Sequence, residues 1–326
     1  MTISGSASAR AAYEGSLPTA AISGGVNERR SRPSSARIPS VDGLRAFAVA
    51  GVICFHFGIG PSGGFLGVDL FFVISGFVIA RALLAEHERS GRIDLSSFWK
   101  RRFRRIFPTL ALILFAVAVW SWTMDASASF RHAVSTGTLA ALVSAGNWWQ
   151  IVGTDGYWSL DSARDPLTHL WSLGVEEQFY LVFPLLFILL LRFVPHRFRW
   201  LVSTLATTAF YAWTAAYSLL AELTANGSAL DRLYLGTDTR SGALLAGGTI
   251  ALLVARGQPQ RRSQAGIHIA RAGAWLACPI LIVLWLRSSS HDTMFFAVEL
   301  PLSGVAAAVL IWSVVAAPGS PVARIL

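Results

Sequence analysis

The sequence predicts an all-α polytopic membrane protein, with about eight transmembrane helices plus one re-entrant or interfacial helix. Three observations carry that expectation. Hydrophobic residues make up 54% of the 326 residues and charged residues only 14%, where a soluble domain carries roughly a quarter charged. Mean hydropathy is +0.53. The apolar residues also fall into runs close to the ~20 needed to cross ~30 Å of hydrocarbon. A soluble multidomain enzyme, a disordered regulator and a disulfide scaffold are excluded.

Residues 1–37 are rich in Ser, Ala, Gly and Arg and hold no apolar run of signal-peptide length. They read as a disordered, basic, uncleaved tail ahead of a transmembrane domain over 38–326. The spans then follow in order as 44–60, 65–85, 106–124, 134–152, 170–191, 201–221, 234–254, 272–286 and 294–316. Parity decides whether all of them cross. If 134–152 crosses, Arg192, Arg197 and Arg199 fall outside, against the positive-inside tendency. That segment is also diluted by Ser135, Thr136, Thr138, Ser144, Asn147 and Gln150. We therefore expect it to be re-entrant or interfacial, leaving both termini cytoplasmic. The predicted cytoplasmic segments then hold 21 basic residues, and the external ones only Arg131, Arg164, Arg232 and Arg287.

The net charge of +9 and pI near 10.5 would fit a nucleic-acid binder. Here the basic residues punctuate the apolar runs, as topology-setting charge does, so the expected partner is a lipid bilayer and not nucleic acid. Cys54 and Cys278 lie within apolar runs and read as small fillers.

An ionisable group inside a membrane costs several kcal/mol unless paired or hydrated, so each one is a functional candidate. Those within the spans are Arg45, His56, Asp69, Glu176, Glu177, Asp238 and Arg240. Arg45 and His56 are eleven residues apart, which puts them on one helix face and ~16 Å apart along the axis. With Arg45 at the cytoplasmic edge, His56 is expected near mid-membrane. A guanidinium at an entrance pairs bidentately with phosphate oxygens, and a deeper imidazole suits proton transfer. The bland reading makes Arg45 a positive-inside anchor and His56 a packing histidine.

Asp69 follows Gly63, Gly64 and Gly67, which allow close backbone approach. It serves either catalysis or a buried ion pair with an arginine such as Arg240. Glu176 and Glu177 point ~100° apart, so one of them faces the polar interior. Asp238 and Arg240 form a further polar pair, structural or substrate-facing, and His169 reads as an interfacial residue. The basic, aromatic stretch Phe98–Pro108, with Arg102 and Arg105, serves anionic lipid, a phosphorylated cofactor, or both. Gly60-Pro61-Ser62-Gly63-Gly64 matches a nucleophile-elbow pattern but sits in a hairpin between helices, not after a strand. No metal-ligand spacing, P-loop or dinucleotide fingerprint appears.

Five blocks resemble the membrane-bound acyltransferase 3 family of O-antigen acetylase type. They are Asp42-Gly43-Leu44-Arg45 with His56, Gly67–Phe77, Arg102-Phe103-Arg104-Arg105, His169–Tyr180 and Tyr234–Arg240. The resemblance implies transfer of an acyl group, usually acetyl from cytoplasmic acetyl-CoA, to a hydroxyl of an envelope glycan or glycolipid in the bacterial inner membrane, with no metal. It assigns Arg45 to coenzyme A contacts and His56 to acyl handling or base catalysis. Arg102 and Arg105 join Arg45 as cofactor contacts, and Glu176, Glu177 and Asp69 join His56 as catalytic candidates. Relative to that family the chain is expected to be short at its C-terminus. The competing readings are a transporter or flippase of an acyl donor or lipid-linked glycan, and an inactive truncated scaffold.

Overall fold

The computed structural model describes residues 38–123, 127–153, 166–224, 229–256, 264–289 and 295–326. The expected tail, 1–37, lies outside the described residues. Among the described residues there is helix and no strand.

Eight of the helices have seventeen residues or more: α1 (Pro39–His56), α2 (Gly67–Ser90), α3 (Leu95–Thr123), α6 (Trp171–Phe193), α7 (Arg199–Leu223), α9 (Thr237–Arg256), α10 (Gln264–Arg287) and α11 (Leu300–Ala316). Between and after them lie α4 (Ala128–Leu142), α5 (Gly146–Val152), α8 (Ala229–Leu235) and α12 (Pro321–Ile325). Among the described residues, five helical stretches are long and apolar enough to cross a membrane: Gly64–Ser90, Leu95–Thr123, Thr168–Phe193, Gln264–Arg287 and Phe295–Ala316. Helices α7 and α9 fall short of that hydropathy for a physical reason. In α7 and α9 the polar residues face each other. Thr249 lies 2.7 Å from Ser203 and 3.2 Å from Thr207, and Thr214 donates to the Thr239 carbonyl at 2.9 Å.

Helices α2 and α9 form the centre of the bundle. The side chains of α2 are mostly buried, and Leu70, Phe72, Val73, Ile74 and Phe77 form part of one continuous core with Leu244 and Ile250 of α9. The two backbones touch at glycines. A Cβ on Gly76 would overlap the Leu244 carbonyl, and one on Gly247 would overlap the Val73 carbonyl. This is how helices associate where lipid removes the hydrophobic drive between them. The glycines before α2 act in the same way: a Cβ on Gly64 would stand 2.6 Å from the Gly51 carbonyl oxygen of α1.

Several expected boundaries move. The first span begins at Pro39 and stops at His56 instead of running 44–60. The cause is the turn that follows, in which Gly58 takes φ +66°. Helix α3 starts at Leu95, eleven residues before the expected span, so the basic stretch is the helix's own first turns. Asp94 caps it by accepting from the Ser97 backbone N–H at 3.0 Å and the Ser97 hydroxyl at 2.6 Å. These bonds hold the exposed Asp94 carboxyl below the usual carboxylate range. The segment 134–152 is no single helix: α4 and α5 meet at Ser144, whose φ of 58° is left-handed. The expected 234–254 span also divides, with α8 ending at Leu235 and α9 starting at Thr237.

Candidate functional site

A cavity of about 390 Å³ opens between α1, α2, α3 and α6. Arg45, Arg102, Arg105, Ser75, Glu176 and Tyr180 line it, with apolar side chains between them. Its volume lies within the ~300–1,000 Å³ of small-molecule sites. Arg45 sits one and a half turns inside α1, with its guanidinium 5.7 Å from the Phe71 ring and its buried Nε without a hydrogen-bond partner among the described residues. Arg105 is exposed at the mouth and, like Arg45, makes no ion pair among the described residues.

Arg102 is held on three sides. Its guanidinium lies 3.3 Å over the Tyr180 ring, its Nε donates to Glu177 at 3.1 Å, and an Nη lies 3.6 Å from Glu176. The other Glu176 oxygen accepts from the Ser75 hydroxyl. Of the adjacent glutamates, Glu176 is buried and lines the cavity, while Glu177 is half-buried and serves Arg102. Tyr180 and Ser75 were not singled out in the sequence. Tyr180 could have been found, because it lies one turn after Glu176 on the same helix face.

His56, expected near mid-membrane, is the last residue of α1 and is exposed. Its Nδ1 lies 2.8 Å from the Val52 carbonyl oxygen. Neither Asp69 nor Glu176 bonds to it. Its ring meets His169, with centroids 4.5 Å apart and planes at 88°. The sequence reading left His169 as an interfacial residue, yet its spacing carried a signal. Tyr180 follows His169 by eleven residues, as His56 follows Arg45. The two walls of the cavity, α1 and α6, therefore run past each other with Arg45 and Tyr180 toward one end and the histidines at the other. Val52, Ile53, Ser172 and Leu173 line the cavity one turn short of the histidine pair.

Asp69 and Arg240 leave the site and join each other. They are 2% and 0% exposed at the side chain and 3.0 Å apart. Phe72, Trp171 and Tyr234 surround the guanidinium at 5.9, 5.6 and 5.0 Å from their centroids. Asp69 does not line the cavity. Asp238 and Arg240 do not pair, contrary to expectation: as near neighbours on α9 they point to different faces. Asp238 accepts from Arg232 at 2.9 Å and from the Trp213 indole at 3.2 Å.

Gln178, also missed, uses all four of its hydrogen-bonding positions. It donates to the Ser144 carbonyl at 2.6 Å and to Asn147 at 2.9 Å. It accepts from the Trp148 indole at 3.1 Å and from Thr237 at 2.6 Å. These bonds pin α5 against α6 and the start of α9. Among the described residues, no three His, Cys, Asp or Glu side chains assemble as a metal site.

Among the described residues, a helical bundle with five stretches long and apolar enough to cross a membrane, and a cavity lined by three arginines with a histidine pair one turn beyond it, defines a helical membrane-protein class. The family model described as "Acyltransferase domain" matches residues 38–325, and the chain belongs to that family. It is 40% identical over 217 residues to O-acetyltransferase OatA of Staphylococcus aureus, covering 66% of this chain and 34% of that protein. It is 33% identical over 277 residues to the Bacillus subtilis protein named "Putative peptidoglycan O-acetyltransferase YrhL", covering 84% of this chain and 43% of that one. The chain thus spans well under half the length of these curated relatives. No solved structure matches it significantly.

Proposed function

We propose that this chain transfers an acyl group, acetyl in the first instance, from acyl-CoA to a hydroxyl of an envelope glycan or glycolipid. The observation that carries this reading is the cavity, lined by Arg45, Arg102 and Arg105, with the His56–His169 pair one turn beyond its lining. Arg45 and Arg105 receive the donor's phosphates, because both are free of protein carboxylates among the described residues and guanidinium pairs bidentately with phosphate. Arg102, held by Glu176, Glu177 and Tyr180, is a fixed part of the same wall, its charge offset by the two carboxylates. The apolar stretch between leads the thioester toward His56, which acts as base or acyl carrier. The acceptor class comes from the relatives' names.

The donor end lies on the cytoplasmic side of a bacterial inner membrane with both termini cytoplasmic. The basic asymmetry of the sequence supports this orientation. The break at Ser144 supports a segment that does not cross as one helix.

Acetyl-CoA binding to the detergent-purified chain tests the reading. Arg45→Ala should weaken it about tenfold or more, the scale of one charge-assisted hydrogen bond. Arg45→Lys should recover little, since it loses the bidentate fork. Unchanged affinity in Arg45→Ala would remove the donor role.

A further inference from the structure

We propose that His169 is the general base for the acceptor hydroxyl, working beside an acyl group carried on His56 Nε2; the inference rests on the acyl-transfer reading above. Four observations lead there. A carbonyl oxygen only accepts, so the 2.8 Å contact with Val52 places the His56 proton on Nδ1 and leaves the Nε2 lone pair free. That is the nitrogen a nucleophile needs. The carboxylates that would ordinarily assist it are engaged elsewhere, Asp69 with Arg240 and Glu176 with Ser75 and Arg102. His169 is the titratable side chain whose ring touches His56, at 4.5 Å between centroids and edge to face. Both histidines are exposed, one turn past the cavity lining, so a polar acceptor reaches them without entering the donor's path.

The chemistry balances in two steps. His56 Nε2 attacks the thioester carbonyl carbon; the N–C bond forms, the C–S bond breaks, and the thiolate leaves toward the arginine end. The acylated ring carries a positive charge because Nδ1 keeps its proton. In the second step the acceptor oxygen attacks that carbonyl and passes its proton to the free ring nitrogen of His169. The O–C bond forms, the C–Nε2 bond breaks, and its electron pair returns to His56. His169 then releases the proton to solvent, where the thiolate is protonated. A base separate from the carrier is required here, because the carrier's lone pair is occupied by the acyl group.

The full chain in detergent, given acetyl-CoA, reports the first step as a burst of free thiol of about one per protein before steady turnover. Muropeptides as acceptor report the second step as ester formation. His169→Gln should keep the burst and lose acceptor transfer by about 10²–10⁴-fold. Transfer by His169→Gln within about threefold of the unaltered chain would overturn the inference. Loss of the burst in His169→Gln, with an unchanged melting temperature, would also overturn it, since His169 would then act in the first step. His56→Ala should lose both steps. A burst surviving in His56→Ala would sink the underlying role of His56, an outcome separable from every result at His169.

Discussion

Arg240 is buried inside the bundle, where one Nη donates to Asp69 at 3.0 Å and three aromatic rings stand 5.0–5.9 Å from its guanidinium. Removing one member of a buried pair leaves the other uncompensated, which costs about 3–5 kcal/mol. Asp69→Ala should therefore lower the melting temperature of the detergent-solubilised protein sharply. Asp69→Ala combined with Arg240→Met should recover much of the loss, because the double variant buries no lone charge. A double variant as unstable as the single one would show that the pair is not what holds these positions. The sequence named both residues, since a charge in an apolar run is visible in one dimension. Which acid meets which arginine was not visible. Asp238 lies two positions from Arg240 yet faces Arg232, and Asp69 lies 171 residues away. His169 reads as interfacial in the sequence because, taken alone, it is one polar residue at a helix start; its contact with His56 is what sets it apart.

At the scale of elements, apolar runs locate helices well and their ends poorly. Hydropathy sees neither the Asp94 cap that starts α3 nor the Gly58 turn that follows α1. The Asp94 cap has a pH signature. A carboxylate lowered by folding contributes stability above its unfolded value of ~3.9 and loses it as pH falls through the lower folded value. Protection of the Ser97 and Phe98 amides, taken relative to the intrinsic exchange rate at each pH, should fall on acidification through that range, and Asp94→Ala should remove that fall. Packing is the second element property that composition hides. Gly247 touches the α2 backbone, so Gly247→Leu should force α2 and α9 apart, while Gly319→Leu, with nothing within 4 Å of its Cβ position, should be tolerated. Size-exclusion profiles after detergent extraction distinguish the two: aggregation is expected for the first, a single unshifted peak for the second.

For the whole molecule, the proposed sidedness rests on the distribution of charge. Cysteines placed at Arg197 and Arg256 in an otherwise cysteine-free chain should both be labelled from the cytoplasmic side. External labelling of either would invert the proposed arrangement and put the arginine end of the cavity on the wrong face for a cytoplasmic donor. The count of crossing helices was the least legible property. Polar seams such as Ser203, Thr207 and Thr249 make a buried helix look too hydrophilic to span.

The Asp69–Arg240 pair also has a consequence in time. The chain is made from its N-terminus, and 171 residues separate the two partners. At about 5–20 residues per second, α2 waits roughly ten to thirty seconds for the cation that neutralises it. During that wait Asp69, in the first turn of α2, lacks the arginine it pairs with in the finished bundle. An interruption of synthesis between α2 and α9 therefore leaves a nascent chain whose Asp69 has no arginine to meet.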